Sequence, residues 1–129
     1  MSDLLSAMQS SVSGMTAQST RLRISSENIA NADTPGYHGK MVRFQETIGA
    51  DGTARVSTAA PELSNQAVER IYAPGHPLAD AEGYYDGSNV SLMVEIADAR
   101  QAQRSYEANL KMFDQARAMS SSLLDLLRR

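Results

Sequence analysis

The sequence predicts a mainly α-helical, single-domain protein whose long N- and C-terminal helices pair as an antiparallel coiled coil, with a small loop-rich β element between them. All four prolines and seven of the eight glycines lie between residues 33 and 88, so both ends of the chain are free to be helical. Apolar residues recur at steps of three and four in both ends, which is typical of helices that pack along one face. We therefore divide the chain into an N-terminal helix (1–32), a loop and β segment (33–88) and a C-terminal helix (89–129).

The N-terminal segment carries an apolar seam of period 3.5, the spacing of a coiled-coil helix. Its apolar positions are Leu5, Met8, Val12, Met15, Leu22 and Ile29, with Ser19 and Ser26 where apolar residues would be expected. At about 1.5 Å per residue the helix would be roughly 40 Å long. We expect it to end near Ala32, because Thr34 precedes Pro35 and is driven out of the helical region.

The middle segment has the composition of turns and short strands. Pro35-Gly36 suits the two central positions of a type II turn. Val42, Phe44 and Ile48 alternate with polar residues, and the turn-forming residues 49–52 precede Arg55-Val56, which predicts a small hairpin. A further short strand is predicted at residues 68–72. Eight acidic residues against four basic ones make this segment the solvated, acidic part of the chain.

The C-terminal segment predicts one long helix, since it holds neither Gly nor Pro from Ser88 onward. Ser91 is a candidate N-cap, and Glu95 and Asp98 in the early turns suit the positive end of the helix dipole. Up to roughly 55 to 60 Å of helix follows. One apolar face is marked by Leu92, Ile96, Ala99, Tyr106, Leu110, Phe113, Ala116, Met119, Leu123 and Leu127.

The chain is poor in the residues that build a core. Leu, Ile, Val and Phe number 24 of 129, just under the roughly 20% at which chains struggle to form a core of their own, yet a net charge of −3 does not indicate full disorder. This balance favours a subunit that neighbours stabilise. We therefore predict that the larger seam residues form a subunit interface: Leu5, Met8, Val12, Met15, Leu22, Ile29, Leu92, Ile96, Tyr106, Leu110, Phe113, Leu123 and Leu127.

Several classes of partner are disfavoured. A pI near 5.3 argues against nucleic acid. The absence of any run of 18 apolar residues argues against direct insertion in a membrane. Residues 1–14 hold no Lys or Arg and no compact apolar stretch, so we expect no cleaved secretory signal there.

The sequence predicts no catalytic, cofactor or metal site. His38 and His76 both lie in turn-like contexts without further ligands at a metal spacing. The nucleophile-elbow pattern Gly-x-Ser-x-Gly is absent. Asp80, Glu82 and Asp86 could in principle pair as acid and base, but the flanking Gly and Ala offer no apolar pocket to raise a pKa. We interpret them as a solvated acidic loop.

Two stretches resemble a known family. Residues 29–37, IANADTPGY, are similar to the signature of the bacterial flagellar axial proteins, which form rod and hook. Residues 72–84, followed by Asn89-Val90 and residues 104–109, narrow the resemblance to a rod subunit of the basal body. The family positions are Ala30, Asn31, Thr34, Pro35, Gly36, Tyr37, Pro74, His76, Pro77, Asp80, Gly83, Tyr84, Asn89, Ser105, Tyr106 and Asn109. The chain departs from the pattern at Ser88, where proline is common, and at His38-Gly39, where basic or polar residues are common.

The resemblance implies a structural subunit of the proximal rod, a tubular drive shaft in the periplasm that transmits torque. It implies export by the flagellar type III apparatus. The implied partners are other rod subunits, further copies of the chain, and membrane-ring and export-gate adaptor proteins at the rod base. The alternative interpretation is a soluble helical adaptor or export chaperone, which would stay in the cytoplasm.

Overall fold

Two long helices flank six short strands in the computed structural model, which describes residues 2–129. Helix α1 spans Ser2–Ala30 and helix α2 spans Leu92–Leu127, about 43 and 54 Å at the standard rise per residue. The strands are β1 (Lys40–Met41), β2 (Phe44–Ile48), β3 (Ala54–Thr58), β4 (Glu62–Leu63), β5 (Arg70–Tyr72) and β6 (Tyr84–Asp86). The prediction of a mainly helical chain with a small β element in its middle is therefore confirmed.

The helices run antiparallel, because residues early in α1 lie against residues late in α2. Arg21 forms an ion pair with Asp98 (Nη2 to Oδ1, 3.1 Å), and Gly14 lies against the side chain of Asn109. Most buried side chains of the two helices are small: Ser11, Ala17 and Ser25 of α1, beside the larger Ile24 and Asn28, and Ala102 and Ala116 of α2. Small residues let two helices approach closely, but they bury little apolar area.

The predicted seams lie beside this contact rather than in it. Leu5 and Val12 are exposed on α1, and Tyr106 and Leu110 are exposed on α2. Val12 is one position from the buried Ser11, and Leu110 is one position from Asn109, which lies against Gly14. One position turns the side chain by about 100° around the helix axis. The larger apolar residues are consequently left at the border of the helix pair.

The C-terminal end of α1 and the N-terminal end of α2 differ slightly from what the sequence predicts. Helix α1 ends at Ala30 rather than near Ala32, and Asn31 Nδ2 donates to the Glu27 carbonyl (2.9 Å), which satisfies a free acceptor of the last turn. Ser91 lies at the N-cap of α2, as predicted, but its hydroxyl makes no capping hydrogen bond. Its carbonyl accepts the first helical N–H, from Glu95 (3.0 Å).

The strands form three separate antiparallel pairs: β1 with β4, β2 with β3, and β5 with β6. The predicted hairpin is confirmed, with Phe44 opposite Thr58 and Ile48 opposite Ala54. It lies against α1, where Ser13 Oγ accepts the Val56 N–H (3.0 Å) and Gln9 Oε1 accepts from Arg55 (3.0 Å). The β1–β4 pair was not predicted.

No helix among residues 2–129 is long and apolar enough to cross a membrane.

Candidate assembly interface

Residues 31–39 connect α1 to β1, and we call this connection the elbow. It is organised around Asn28, in the last turns of α1. Its side chain is only 1% exposed and is the largest that is fully buried in the described part of the chain. Asn28 Oδ1 accepts from the Lys40 N–H (2.9 Å) and from the Tyr37 hydroxyl (2.8 Å), while Nδ2 donates to the Lys40 carbonyl (2.9 Å). One amide thus joins the helix to the start of β1.

The family residues that follow α1 form the predicted turn. Tyr37 N–H donates to the Thr34 carbonyl (3.2 Å) across Pro35-Gly36, and Gly36 has a φ of 73°, which a type II turn requires at its third position. Thr34 Oγ1 donates to Asn31 Oδ1 (3.1 Å). The Gly36 N–H lies within hydrogen-bond distance of the Asp86 and Gly87 carbonyls (3.2 and 3.1 Å), so the turn is held against the end of β6.

A second side-chain amide, that of the half-buried Asn89, links the residues just before α2 to the same elbow. Asn89 Oδ1 accepts the Gly39 N–H (2.7 Å), and its Nδ2 donates to the carbonyls of Ser64 and Gln66 (3.2 and 3.0 Å). Ser88 donates its hydroxyl to the Ala32 carbonyl, a bond that the proline implied at this position by the resemblance could not make.

The family residues of the β5–β6 loop form an ordered turn, and its carboxylates are exposed to solvent as predicted. Asp80 Oδ1 accepts the N–H groups of Glu82 and Tyr84 (2.9 and 3.0 Å), and Oδ2 accepts from Arg70 (2.7 Å). The Tyr84 N–H, and after it Arg70, hold the pKa of Asp80 below its ordinary value. Asp86 pairs with the other side of the same guanidinium (3.2 Å). Two of the three predicted solvated carboxylates are thus fixed in ion pairs.

The other family residues of this loop pack around it. His76 stacks on Tyr85 with a ring-centroid distance of 3.9 Å, and its Nδ1 accepts the Leu78 N–H (3.1 Å). Gly83 has a φ of 89°, and a Cβ there would lie 2.9 Å from the Tyr72 ring and 3.1 Å from Pro74 Cγ. Only glycine fits this close approach.

On α2 the family residues Ser105 and Asn109 face α1. Asn109 Nδ2 donates to the Ser105 carbonyl (2.9 Å), and a Cβ at Gly14 would lie 2.8 Å from Asn109 Oδ1. Gly14 is the one glycine outside the middle segment, and that isolation was a signal of close helix packing that we did not use. Asn28 gave no such signal, because its partners are backbone groups and a tyrosine farther along the chain.

An open groove of larger apolar side chains, which we call the seam groove, runs along one side of the helix pair. Its α1 side is formed by Leu5, Met8, Val12, Met15 and Leu22, and its α2 side by Tyr106, Leu110 and Phe113. Neighbouring hollows share Val12, Ser19 and Tyr106, so the groove is continuous. The structure brings together eight of the thirteen predicted interface residues here. Leu92, Ile96, Leu123 and Leu127 are exposed towards the ends of α2, and Ile29 is half-buried near the elbow.

The protein's own core is small beside this groove. The buried apolar side chains in the described part are Ala17, Ile24, Ala102 and Ala116. Three of these four side chains are alanines, whereas larger side chains of the groove stay open to solvent. Leu110 is 40% exposed and Leu5 is 53% exposed. Because about half of each of these side chains is already covered, each would contribute about 0.6 to 1.6 kcal/mol if a neighbour covered the rest. The core that the described residues form within the chain therefore contains little apolar area.

Groups that could bind a metal are not brought together. Among residues 2–129 no three His, Asp or Glu side chains form a possible metal cluster. His38 Nδ1 lies 3.0 Å from the Ser64 carbonyl, next to Asn89. Both histidines are thus engaged in loop contacts.

Comparison with known proteins matches both ends of the chain to flagellar families. Residues 8–38 match the family described as flagella basal body rod protein, and residues 81–126 match flagellar basal body rod FlgEFG protein C-terminal. The chain is 42% identical to the flagellar basal-body rod protein FlgC of Agrobacterium fabrum, over 99% of this chain and 98% of the relative. It is 34% identical to the protein of the same name from Escherichia coli O6:H1, over 95% of this chain and 97% of the relative. The Salmonella typhimurium protein of that name is 35% identical over the same shares.

Proposed function

Because the chain belongs to the flagellar basal-body rod proteins of the FlgC type, it is a structural subunit of the rod, and we propose that it forms part of the proximal rod, a tubular drive shaft that transmits torque. The observation that carries this proposal is the seam groove. A rod subunit needs apolar surface that stays open until neighbours arrive, and Leu110 and Leu5 provide such surface.

We propose that the helix pair packs side by side with the pairs of neighbouring subunits, and that the seams form coiled-coil contacts between chains. The seams keep the 3.5-residue period of such contacts. The small residues in the contact between α1 and α2 support this proposal. Because small residues make the contact within the chain, the larger side chains are left free to pack against another chain.

The middle segment would lie on the outside of the tube and resist torsion. Its anchoring supports this role: the side-chain amides of Asn28 and Asn89 fasten the elbow, and the β2–β3 hairpin is bonded to α1. A segment that is bonded to α1 and to Asn89, just before α2, cannot rotate freely against the helix pair. Torque applied to the outer part would then reach the helix pair.

We further propose that the partners are copies of the chain, other rod subunits, and the membrane-ring and export-gate adaptors at the rod base. The periplasm would be the site of assembly and the flagellar type III apparatus the route of export. No catalytic role is proposed.

Replacing a seam residue tests this function. Leu110→Asp would place a charge in the seam groove, and we expect loss of the chain from purified basal bodies together with loss of motility. Ile29→Asp at the elbow is expected to do the same. Lys111→Asp, on an exposed position next to Leu110 and outside the groove, is the matched control and should assemble and swim.

Two outcomes would contradict the proposal. Wild-type swimming of the Leu110→Asp strain would refute the assignment of the seam groove as an interface. Absence of the unmodified chain from basal bodies, with the chain retained in the cytoplasm, would favour the adaptor interpretation over the rod.

A further inference from the structure

Helix α2 has an open surface on the side turned away from α1. A shallow hollow there, which we call the arginine hollow, is lined by Met93, Ile96, Ala97, Arg100, Gln101 and Arg104. At 100° per residue the centre of this hollow lies about 190° around the helix from the buried Ala102, so α1 cannot cover it. Met93 is 84% exposed, and both arginines are exposed as well.

The two arginines of the hollow have no charged partner. Within residues 2–129, every lysine and arginine that precedes α2 forms an ion pair, whereas Arg100 and Arg104 form none. The hollow therefore combines two uncompensated positive charges with exposed apolar side chains. A partner that fits it must supply carboxylates together with apolar or aromatic surface.

The β5–β6 pair presents a surface of that chemistry, which we call the tyrosine face. Tyr72 lies opposite Tyr84 and Arg70 lies opposite Asp86, so these four exposed side chains share one side of the pair. The two tyrosine rings lie 5.1 Å apart between centroids. Arg70 binds the carboxylates of both Asp80 and Asp86 (2.7 and 3.2 Å), which leaves the face with one negative charge in excess.

Contacts within the chain hold the tyrosine face in shape. Arg70 lies over the Tyr84 ring at 5.8 Å from its centroid, and a Cβ at Gly83 would lie 2.9 Å from the Tyr72 ring. The other side of the strand pair carries Ile71 and Tyr85, both half-buried. Side chains that are already ordered lose little freedom when a partner arrives, which favours this face as a recognition surface.

The tyrosine face and the arginine hollow match in chemistry and in height along the molecule. A guanidinium is attracted both to a tyrosine ring and to a carboxylate, and a methionine sulfur packs well at the edge of an aromatic ring. The hollow occupies the first turns of α2. The end of β6 lies at the same end of the molecule, because the Gly36 N–H of the elbow is 3.1 Å from the Gly87 carbonyl. Subunits that stand side by side therefore bring the two surfaces to the same level.

We propose that the tyrosine face of one copy packs on the arginine hollow of a neighbouring copy. This inference rests on the proposed function and specifies one of its contacts. Two different surfaces of one subunit form a heterologous contact, which can repeat along a helical assembly instead of closing as a dimer. Specific interfaces bury at least about 1,000 Å², so this contact adds to the packing of the seam grooves rather than replacing it.

A photo-crosslinker on the tyrosine face tests the contact. Tyr72→p-benzoylphenylalanine keeps an aromatic ring at a position that is 64% exposed. Under ultraviolet light, basal bodies that contain this chain should give a covalent dimer of the chain, with the adduct mapped by mass spectrometry to residues 93–104. Adding Arg100→Asp and Arg104→Asp should lower the yield of that adduct several-fold. Ile48→p-benzoylphenylalanine, at a 72% exposed position of the β2–β3 hairpin, is the matched control and should give no adduct to residues 93–104.

The outcomes separate this contact from the rod function. If the chain is present in the basal bodies but gives no adduct at residues 93–104, or only an adduct to a different protein, the proposal is overturned and the rod role stands. An undiminished adduct after both aspartate changes also overturns it, because the charges would then not select the partner.

Two further variants decide the question if the Tyr72 variant does not assemble. Met93→p-benzoylphenylalanine places the crosslinker in the hollow, and its adduct should map to residues 70–86 of another copy; an adduct elsewhere overturns the proposal. Without any crosslinker, Arg104→Asp should reduce swimming several-fold. Lys111→Asp, on the same side of α2 about two turns farther along, should not. Equal swimming of these two strains overturns the proposal.

Discussion

Replacing Asn28 by alanine tests whether the elbow depends on a single buried amide. The substitution removes three hydrogen bonds at once and leaves the Lys40 N–H and carbonyl without their side-chain partner, while the half-buried Tyr37 hydroxyl could turn to water. An unpaired buried polar group costs about 1 to 3 kcal/mol, and Lys40 is only half-buried. We therefore expect Asn28→Ala to lower the free energy of unfolding by about 2 to 4 kcal/mol.

Two further variants calibrate this value. Tyr37→Phe removes only one of the three bonds and should cost about 0.5 to 1.5 kcal/mol. Asn31→Ala, three residues along the same elbow, removes only local bonds, to the Glu27 carbonyl and from the exposed Thr34 hydroxyl, and should cost at most about 1 kcal/mol. Urea unfolding followed by circular dichroism gives the free energies, and amide hydrogen exchange at Lys40 reports the elbow directly. Equal losses for Asn28→Ala and Asn31→Ala, with Lys40 still protected, would refute the reasoning.

Two other predictions concern the helix contact and the β5–β6 loop. Gly14→Val should displace the Asn109 side chain, because even a Cβ would lie 2.8 Å from Asn109 Oδ1. We expect a loss of about 1 to 3 kcal/mol in urea unfolding, and an unchanged midpoint would contradict this close contact. The Tyr84 N–H is the main cause that lowers the pKa of Asp80 in the folded chain. The ionised carboxylate therefore contributes to stability above its ordinary pKa of about 3.9, and this contribution is lost as the pH falls through the lower pKa of the folded chain. Hydrogen exchange at Tyr84 should accelerate over that acid range in the wild type, and Asp80→Asn should remove this pH dependence; the same acid profile in both chains would contradict it.

The elements that local residues determine were predictable from the sequence. Pro35-Gly36 places a turn after α1, residues 49–52 place the hairpin, and the absence of Gly and Pro after Ser88 allows one long α2. Each of these features depends on the conformational preference of a few neighbouring residues.

The side on which the two helices meet was not predictable in the same way. The large residues of the seams dominate the apolar pattern, whereas the actual contact uses Ser11, Ala17, Ala102 and Ala116, whose weak hydropathy leaves no clear period. The period of the apolar residues locates an apolar stripe on the helix. It does not tell whether that stripe is covered by the same chain or by another one. The assignment of the seams as a subunit interface stays a prediction.

The roles of Asn28 and Asn89 were hidden because they depend on long-range contacts. Asn28 bonds the backbone of Lys40, and Asn89 bonds Gly39 and the carbonyls of Ser64 and Gln66. The family pattern marked Asn89 but gave no reason for it. The two-residue β1–β4 pair was hidden for a similar cause, since such short strands carry no periodicity.

Chemical labelling of the seam groove before and after assembly tests the central claim most directly. In the isolated chain, maleimide should react with Leu110→Cys, whose site is 40% exposed, and with Ala50→Cys in the exposed hairpin turn. In purified basal bodies the account predicts that Leu110→Cys becomes protected while Ala50→Cys still reacts. Equal labelling of Leu110→Cys in the isolated and the assembled chain would contradict the claim that neighbouring subunits cover the groove.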